Sequence, residues 1–147
     1  MPRGRYQVLR NHRHESQAYL AEEDGMQQEL GDGYCFIIDP IDGTTNFIFD
    51  YKHSCISVGL TKFGRMLFGC VYNPYTREMY SAVKGEGAKL NGKEILCSDK
   101  GLADNLVAFG TARYQTEDTD RIFDHAKKLY LNSLGIRAGG SAALDIC

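Results

Sequence analysis

The sequence predicts an α/β (α+β) fold in which helices are layered on a mixed, largely antiparallel sheet. Three observations predict it. Residues 55–61 alternate Ile56, Val58 and Leu60 against Ser57, Gly59 and Thr61, and strand-like runs 66–72 and 78–83 follow across short turns. Ile122, Phe123, Ala126, Leu129, Tyr130 and Leu134 share one helix face, opposite Arg121, Asp124, Lys127 and Lys128. Finally, Phe36-Ile37-Ile38 reads as a short buried strand ending in an Asp-Pro pair, followed by a small hydroxylated turn that opens a helix.

In chain order, residues 1–17 hold four arginines, a His-x-His pair and little that is apolar, and are expected to be a flexible arm. Tyr19-Leu20 is a short apolar approach to the acidic run Glu22-Glu23-Asp24. The strand at 34–38 follows and is expected to stop at Asp39, because Pro40 fixes its own φ and lacks an N–H. His53 lies in an aromatic-rich connection and reads as a packing or hydrogen-bonding residue rather than a ligand. The three strands from residue 55 form a meander, broken at Asn73-Pro74. Leu90-Asn91-Gly92-Lys93 is a two-residue hairpin turn. Residues 105–110 make a short buried strand, 116–120 supply caps, and the amphipathic helix runs to Gly135. Gly139-Gly140-Ser141 then opens another helix.

With 147 residues, 43% of them hydrophobic and 24% charged, the chain is long enough for one globular core. A net charge of −2 gives no general pull toward nucleic acid or anionic membrane, so neither is expected as a partner. There is no apolar run of membrane-spanning length and no signal-like leader, and the five widely spaced cysteines include no C-x-x-C. Reduced thiols in a cytoplasmic protein are therefore expected.

The chemistry concentrates at 36–47. Asp39 and Asp42 flank Pro40-Ile41, and converging carboxylates repel unless a cation neutralises them. Gly43-Thr44-Thr45-Asn46 presents successive backbone N–H groups at a helix start, a setting that favours phosphate. Metal beside phosphate is the reading of the whole string. A lone Asp-Gly-Thr would sooner be a plain turn with a cap, and it is the whole twelve-residue string that favours the functional reading.

Assembled, these residues resemble the inositol monophosphatase family of magnesium-dependent phosphatases. Residues 38–47 match its first signature almost letter for letter. Glu22-Glu23 stands where the family has Gly-Glu-Glu, with Ala21 in place of the glycine. Gly85-Glu86-Gly87-Ala88 with Leu90-Asn91-Gly92, and Gly140-Ser141-Ala142-Ala143, are similar to its hairpin and to a later substrate-side helix start.

The resemblance implies a sugar-phosphatase-like sandwich and Mg²⁺ as cofactor. It implies Glu22, Asp39, the Ile41 carbonyl and Asp42 as metal ligands, and Glu22 with Thr44 as the pair orienting an attacking water. Asp42, Gly43, Thr44, Thr45, Gly140, Ser141 and Ala142 are the implied substrate contacts. Hydrolysis of inositol monophosphate or a similar small polyol phosphate, with lithium sensitivity, is the implied activity. The superfamily's fructose-1,6-bisphosphatase and 3′-phosphoadenosine nucleotide phosphatase activities are alternatives, as is an inactive metal- and phosphate-binding module. The family's second signature, a Trp-Asp segment, has no counterpart, since the chain contains no Trp. Residues 18–147 are therefore expected to be the N-terminal part of such a domain, incomplete at both ends, with exposed sheet edges favouring a homodimer or other self-association.

Overall fold

The computed structural model describes residues 18–21, 33–110 and 118–147, with the side chains of 18–21 left aside. The expectations for the 1–17 arm, the Glu22-Glu23-Asp24 run and capping by 116–117 lie outside the described residues. A seven-stranded sheet runs in sequence order: β1 (Ala18–Ala21), β2 (Tyr34–Asp42), β3 (Cys55–Lys62), β4 (Arg65–Asn73), β5 (Glu78–Val83), β6 (Gly87–Leu90) and β7 (Lys93–Ile95). β1 pairs parallel to β2, and every later pairing is antiparallel. Helix α1 (Thr44–Ile48) follows β2 directly. Beyond the sheet, β8 (Leu106–Ala108) and β9 (Gly135–Arg137) pair in parallel, joined by α2 (Thr119–Asn132). A helical crossover between parallel strands is the usual economy of such a pair. A last short helix, α3 (Ala142–Ile146), lies against β3 and β4. The mixed, largely antiparallel fold class is the one expected.

The turns follow their residues. β4 ends at Asn73, whose side-chain oxygen accepts from the N–H groups of Tyr75 (3.0 Å) and Thr76 (3.3 Å), rounding the chain into β5. The β6–β7 connection is the two-residue hairpin, with Asn91 and Gly92 at φ 50 and 80. Both signs suit the primed turn that matches strand twist.

Four expectations are corrected. The first concerns β2, which runs on through Pro40 to Asp42 instead of stopping at Asp39. The described β1 pairing runs to Ala21↔Ile38, and on the β3 side the register shifts between Asp39 and Asp42, so Pro40 occupies a bulge where no β3 ladder bond needs its N–H. Tyr19-Leu20 belongs to a paired strand, which four residues of sequence could not announce. The third correction is to α2, which ends at Asn132 with Ser133 extended, and Gly135 opens β9. The last is burial. Ile37 is 38% and Leu106 58% exposed, so neither strand is the buried one expected from its apolar letters. Among the described residues the buried apolar side chains are Cys35, Cys55 and Ala126, accompanied by the polar Ser54, Thr61, Asn73 and Ser141. No described helix is long and apolar enough to cross a membrane.

Candidate functional site

The bulge in β2 solves a geometric problem. Residues three apart on a regular strand point to opposite faces. Here Asp39 pairs with Ser57 and Asp42 with Cys55, two residues apart on β3 and therefore on one face. One extra residue in β2 thus puts both carboxylates on the same side of the sheet. β1, at its last residue Ala21, is level with Ile38, just before the first of them. Glu22, the next residue in sequence, lies outside the described residues.

Local bonds hold this corner. Asp39 Oδ1 accepts from the Ile41 N–H at 3.0 Å, an Asx turn across the proline. The Thr44 hydroxyl donates to the Ile41 carbonyl at 2.9 Å. Gly43 turns the chain into α1 at φ 82, and no side chain caps the first N–H groups of that helix. Those amides remain available to a ligand.

Asp42 is anchored from the far end of the chain. Its Oδ2 accepts from the Ser141 hydroxyl, from the Ala143 N–H at 2.9 Å and from the Cys55 thiol at 3.6 Å. Ser141 is fully buried and also caps α3, accepting from the Leu144 N–H at 3.4 Å. Its hydroxyl is therefore committed inward, and the neighbouring Gly140 and Ala142 are the exposed residues of that turn. Burial pushes the Cys55 thiol up to about 11, with the nearby Asp42 charge adding to the shift and the Ser141 hydrogen bond opposing it. It is a protonated filler, not a nucleophile.

A second clasp joins the same two segments. The Asn46 amide donates to the carbonyl oxygens of His53 at 2.7 Å and Gly139 at 2.8 Å. The backbones are so close that a Cβ on Gly43 would meet His53 O at 3.0 Å and Gly140 O at 3.2 Å. The His53 ring meets Tyr51 edge-on at 6.4 Å, and its Nε2, 4.0 Å from Asp145, has no hydrogen-bond partner among the described residues. That agrees with a packing role for the ring.

The donor set fits a hard cation. Asp39 Oδ2, Asp42 Oδ1 and the second lone pair of the Ile41 carbonyl are oxygen donors without a described hydrogen bond, and the nearby sulfur is protonated. Among the described residues no group of three or more His, Cys, Asp or Glu gathers as a metal cluster, so the described part supplies two carboxylates. Asn46 was missed as a structural residue. Its signal was available, because Asn is a poor interior helix former and here sits inside α1.

Comparison with known proteins points one way. Residues 6–147 match the inositol monophosphatase family. The chain is 40% identical over 129 residues to inositol monophosphatase 2 of Saccharomyces cerevisiae, covering 81% of this chain and 44% of that protein. It is 35% identical over 129 residues to the Nus factor SuhB of Pasteurella multocida, covering 87% and 48%. The solved inositol monophosphatase of Anabaena (Nostoc) sp. PCC 7120 superposes with a TM-score of 0.80 at 35% identity, covering 88% of this chain and 52% of that one. The chain spans about half the length of the curated relatives it matches.

Proposed function

This chain belongs to the inositol monophosphatase family, and on that premise we propose that it carries the metal- and phosphate-binding corner of a Mg²⁺-dependent phosphomonoesterase. Inositol monophosphate or a similar small polyol phosphate is the proposed substrate. The observation that supports this most is the β2 bulge, which sets Asp39 and Asp42 on one face directly before the uncapped start of α1.

In this reading Asp39, the Ile41 carbonyl and Asp42 hold the metal, with Glu22 completing the set. When bound, the metal neutralises the phosphoryl oxygens and acidifies a water. Asp39 and Asp42 keep the cation at a fixed place, because the Asx turn and the Ser141 and Ala143 donors prevent either side chain from swinging. The amides of Gly43, Thr44 and Thr45 orient the phosphate. Thr44, whose hydroxyl proton is donated to Ile41 O, has its oxygen lone pairs free to accept from the attacking water. Glu22 shares that task. The Gly140 and Ala142 backbone lines the polyol side. Phosphoryl transfer is mostly positioning and charge neutralisation, so no covalent nucleophile is needed.

A second reading, binding without turnover, is favoured by the kinship with a protein named as a Nus factor. One experiment separates them. Calorimetric titration with Mg²⁺ and phosphate is run beside a phosphate-release assay, with EDTA and with Asp39→Asn and Asp42→Asn. Metal-dependent release abolished by Asp39→Asn, which leaves the turn intact, supports the phosphatase. Binding without release supports the module, and release indifferent to EDTA defeats both.

A further inference from the structure

We propose that Asn46 is a positioning residue: its side-chain amide locks the 139–143 turn onto the bulge that carries Asp39 and Asp42, and so fixes which oxygen of Asp42 faces the candidate metal. An amide nitrogen has two hydrogens, and both are used here, one on the His53 carbonyl and one on the Gly139 carbonyl. Both partners are acceptors, so the orientation of the amide is unambiguous. The two carbonyls belong to different parts of the chain. His53 begins the approach to β3, and Gly139 stands before the helix that caps onto Asp42.

The consequence runs through four residues. Holding Gly139 places Gly140, which at φ 80 passes under Asn46 so closely that a Cβ there would meet Nδ2 at 3.0 Å and Oδ1 at 3.1 Å. Gly140 delivers Ser141 and Ala143 to Asp42 Oδ2. With Oδ2 occupied by these donors, Oδ1 is the oxygen left for a ligand. Asn46 therefore acts on Asp42 without touching it, one step behind Ser141 and Ala143, which are the outer hydrogen-bonding partners of that carboxylate.

The metal-facing consequence rests on the phosphatase-type reading of the site, whereas the clasp itself does not. The test uses the full chain and two readouts: amide hydrogen exchange at Ala143 and calorimetric Mg²⁺ affinity. Asn46→Asp keeps the shape and removes both donors, setting a carboxylate against two carbonyls. Ala143 exchange is expected to rise about tenfold, the effect of easing local opening by roughly one hydrogen bond. Mg²⁺ affinity is expected to fall about tenfold, the low end of the range for partners bonded directly to a ligand, because Asn46 acts through Ser141 and Ala143. Asn91→Asp, which removes the amide donor that Asn91 gives to the Arg77 carbonyl at 3.3 Å in the remote β6–β7 turn, should change neither. Unchanged Ala143 exchange overturns the clasp. Faster exchange with unchanged Mg²⁺ affinity overturns the positioning role. Should the unaltered chain bind no Mg²⁺, the metal reading fails by itself, and the exchange result alone upholds or removes the lock. If Asn46→Asp does not fold, Asn46→Ser keeps one donor and is read on the same two scales.

Discussion

Gly43 and Gly85 have almost the same backbone torsion, φ +82 and φ +83, in opposite surroundings. Replacing either with alanine incurs the left-handed penalty, about 1–2 kcal/mol. At Gly85 nothing lies within 4 Å of the new Cβ, so that penalty is the whole cost. At Gly43 the Cβ would meet His53 O at 3.0 Å, Gly140 O at 3.2 Å and Ser141 Cβ at 3.2 Å. Two of these atoms are backbone and cannot rotate away, so the turn must shift by several tenths of an ångström. Overpacking of that kind costs a further ~1–3 kcal/mol. Gly43→Ala should therefore lose about 2–5 kcal/mol against about 1–2 kcal/mol for Gly85→Ala. Equilibrium urea unfolding of the two variants measures the difference directly, with the slope m checked for constancy. Equal losses would mean that the close approach between the two segments is not a feature of the folded chain, and the reasoning about the site would go with it.

Three further outcomes are expected. Ser141→Ala removes a buried hydroxyl that donates to a carboxylate while Ala143 N–H remains, so stability should fall by about 1.5–3 kcal/mol in urea melts; a loss below ~0.5 kcal/mol, the size of an ordinary surface change, refutes that bond. The Cys55 thiol is raised by burial from 9.0 to about 11, so the unfolded thiol ionises before the folded one. Stability should fall as pH rises across that window, by about 1.4 kcal/mol per unit from this group, and Cys55→Ala should flatten the profile by that amount. Phe47, Ile48, Phe49 and Tyr51 are 52%, 70%, 78% and 65% exposed, an apolar stretch interrupted by Asp50. Sedimentation should show concentration-dependent self-association, and a monomer at high concentration contradicts it.

Elements with strong local periodicity were legible. The meander, the amphipathic helix and the Asn91-Gly92 turn follow from side-chain periodicity and turn chemistry alone, the helix ending at Asn132 before the expected Gly135. The run past Pro40 was not legible, because a proline ends a strand only where its N–H is needed, and that depends on the neighbouring strands. Burial at Ile37 and Leu106 was misread for a related reason: apolar letters report a preference, while exposure depends on which elements lie above the face. In the site, the Asp39–Asp42 spacing marked the candidate carboxylates, but their shared face comes from the bulge, which the spacing alone does not announce. The link from Asp42 to Ser141 and Ala143 spans about a hundred positions, and no local pattern carries a contact of that length.

That link changes which substitution tests the metal. Asp42 has two jobs divided between its oxygens: Oδ2 gathers donors from α3 and β3, and Oδ1 is left for a ligand. Asp42→Asn removes the charge from both at once and forces the amide to choose which side keeps its oxygen, so lost binding could reflect a lost anchor. Asp39 is simpler. Its described hydrogen bond is the local one from Ile41 N–H, which an asparagine oxygen accepts equally well. Asp39→Asn therefore keeps the turn and removes only the charge. If Mg²⁺ binds at this corner, Asp39→Asn should weaken it with little change in stability, whereas Asp42→Asn should lower both. A chain in which Asp39→Asn leaves Mg²⁺ affinity intact does not hold its metal at the bulge, however well the rest of the corner is built.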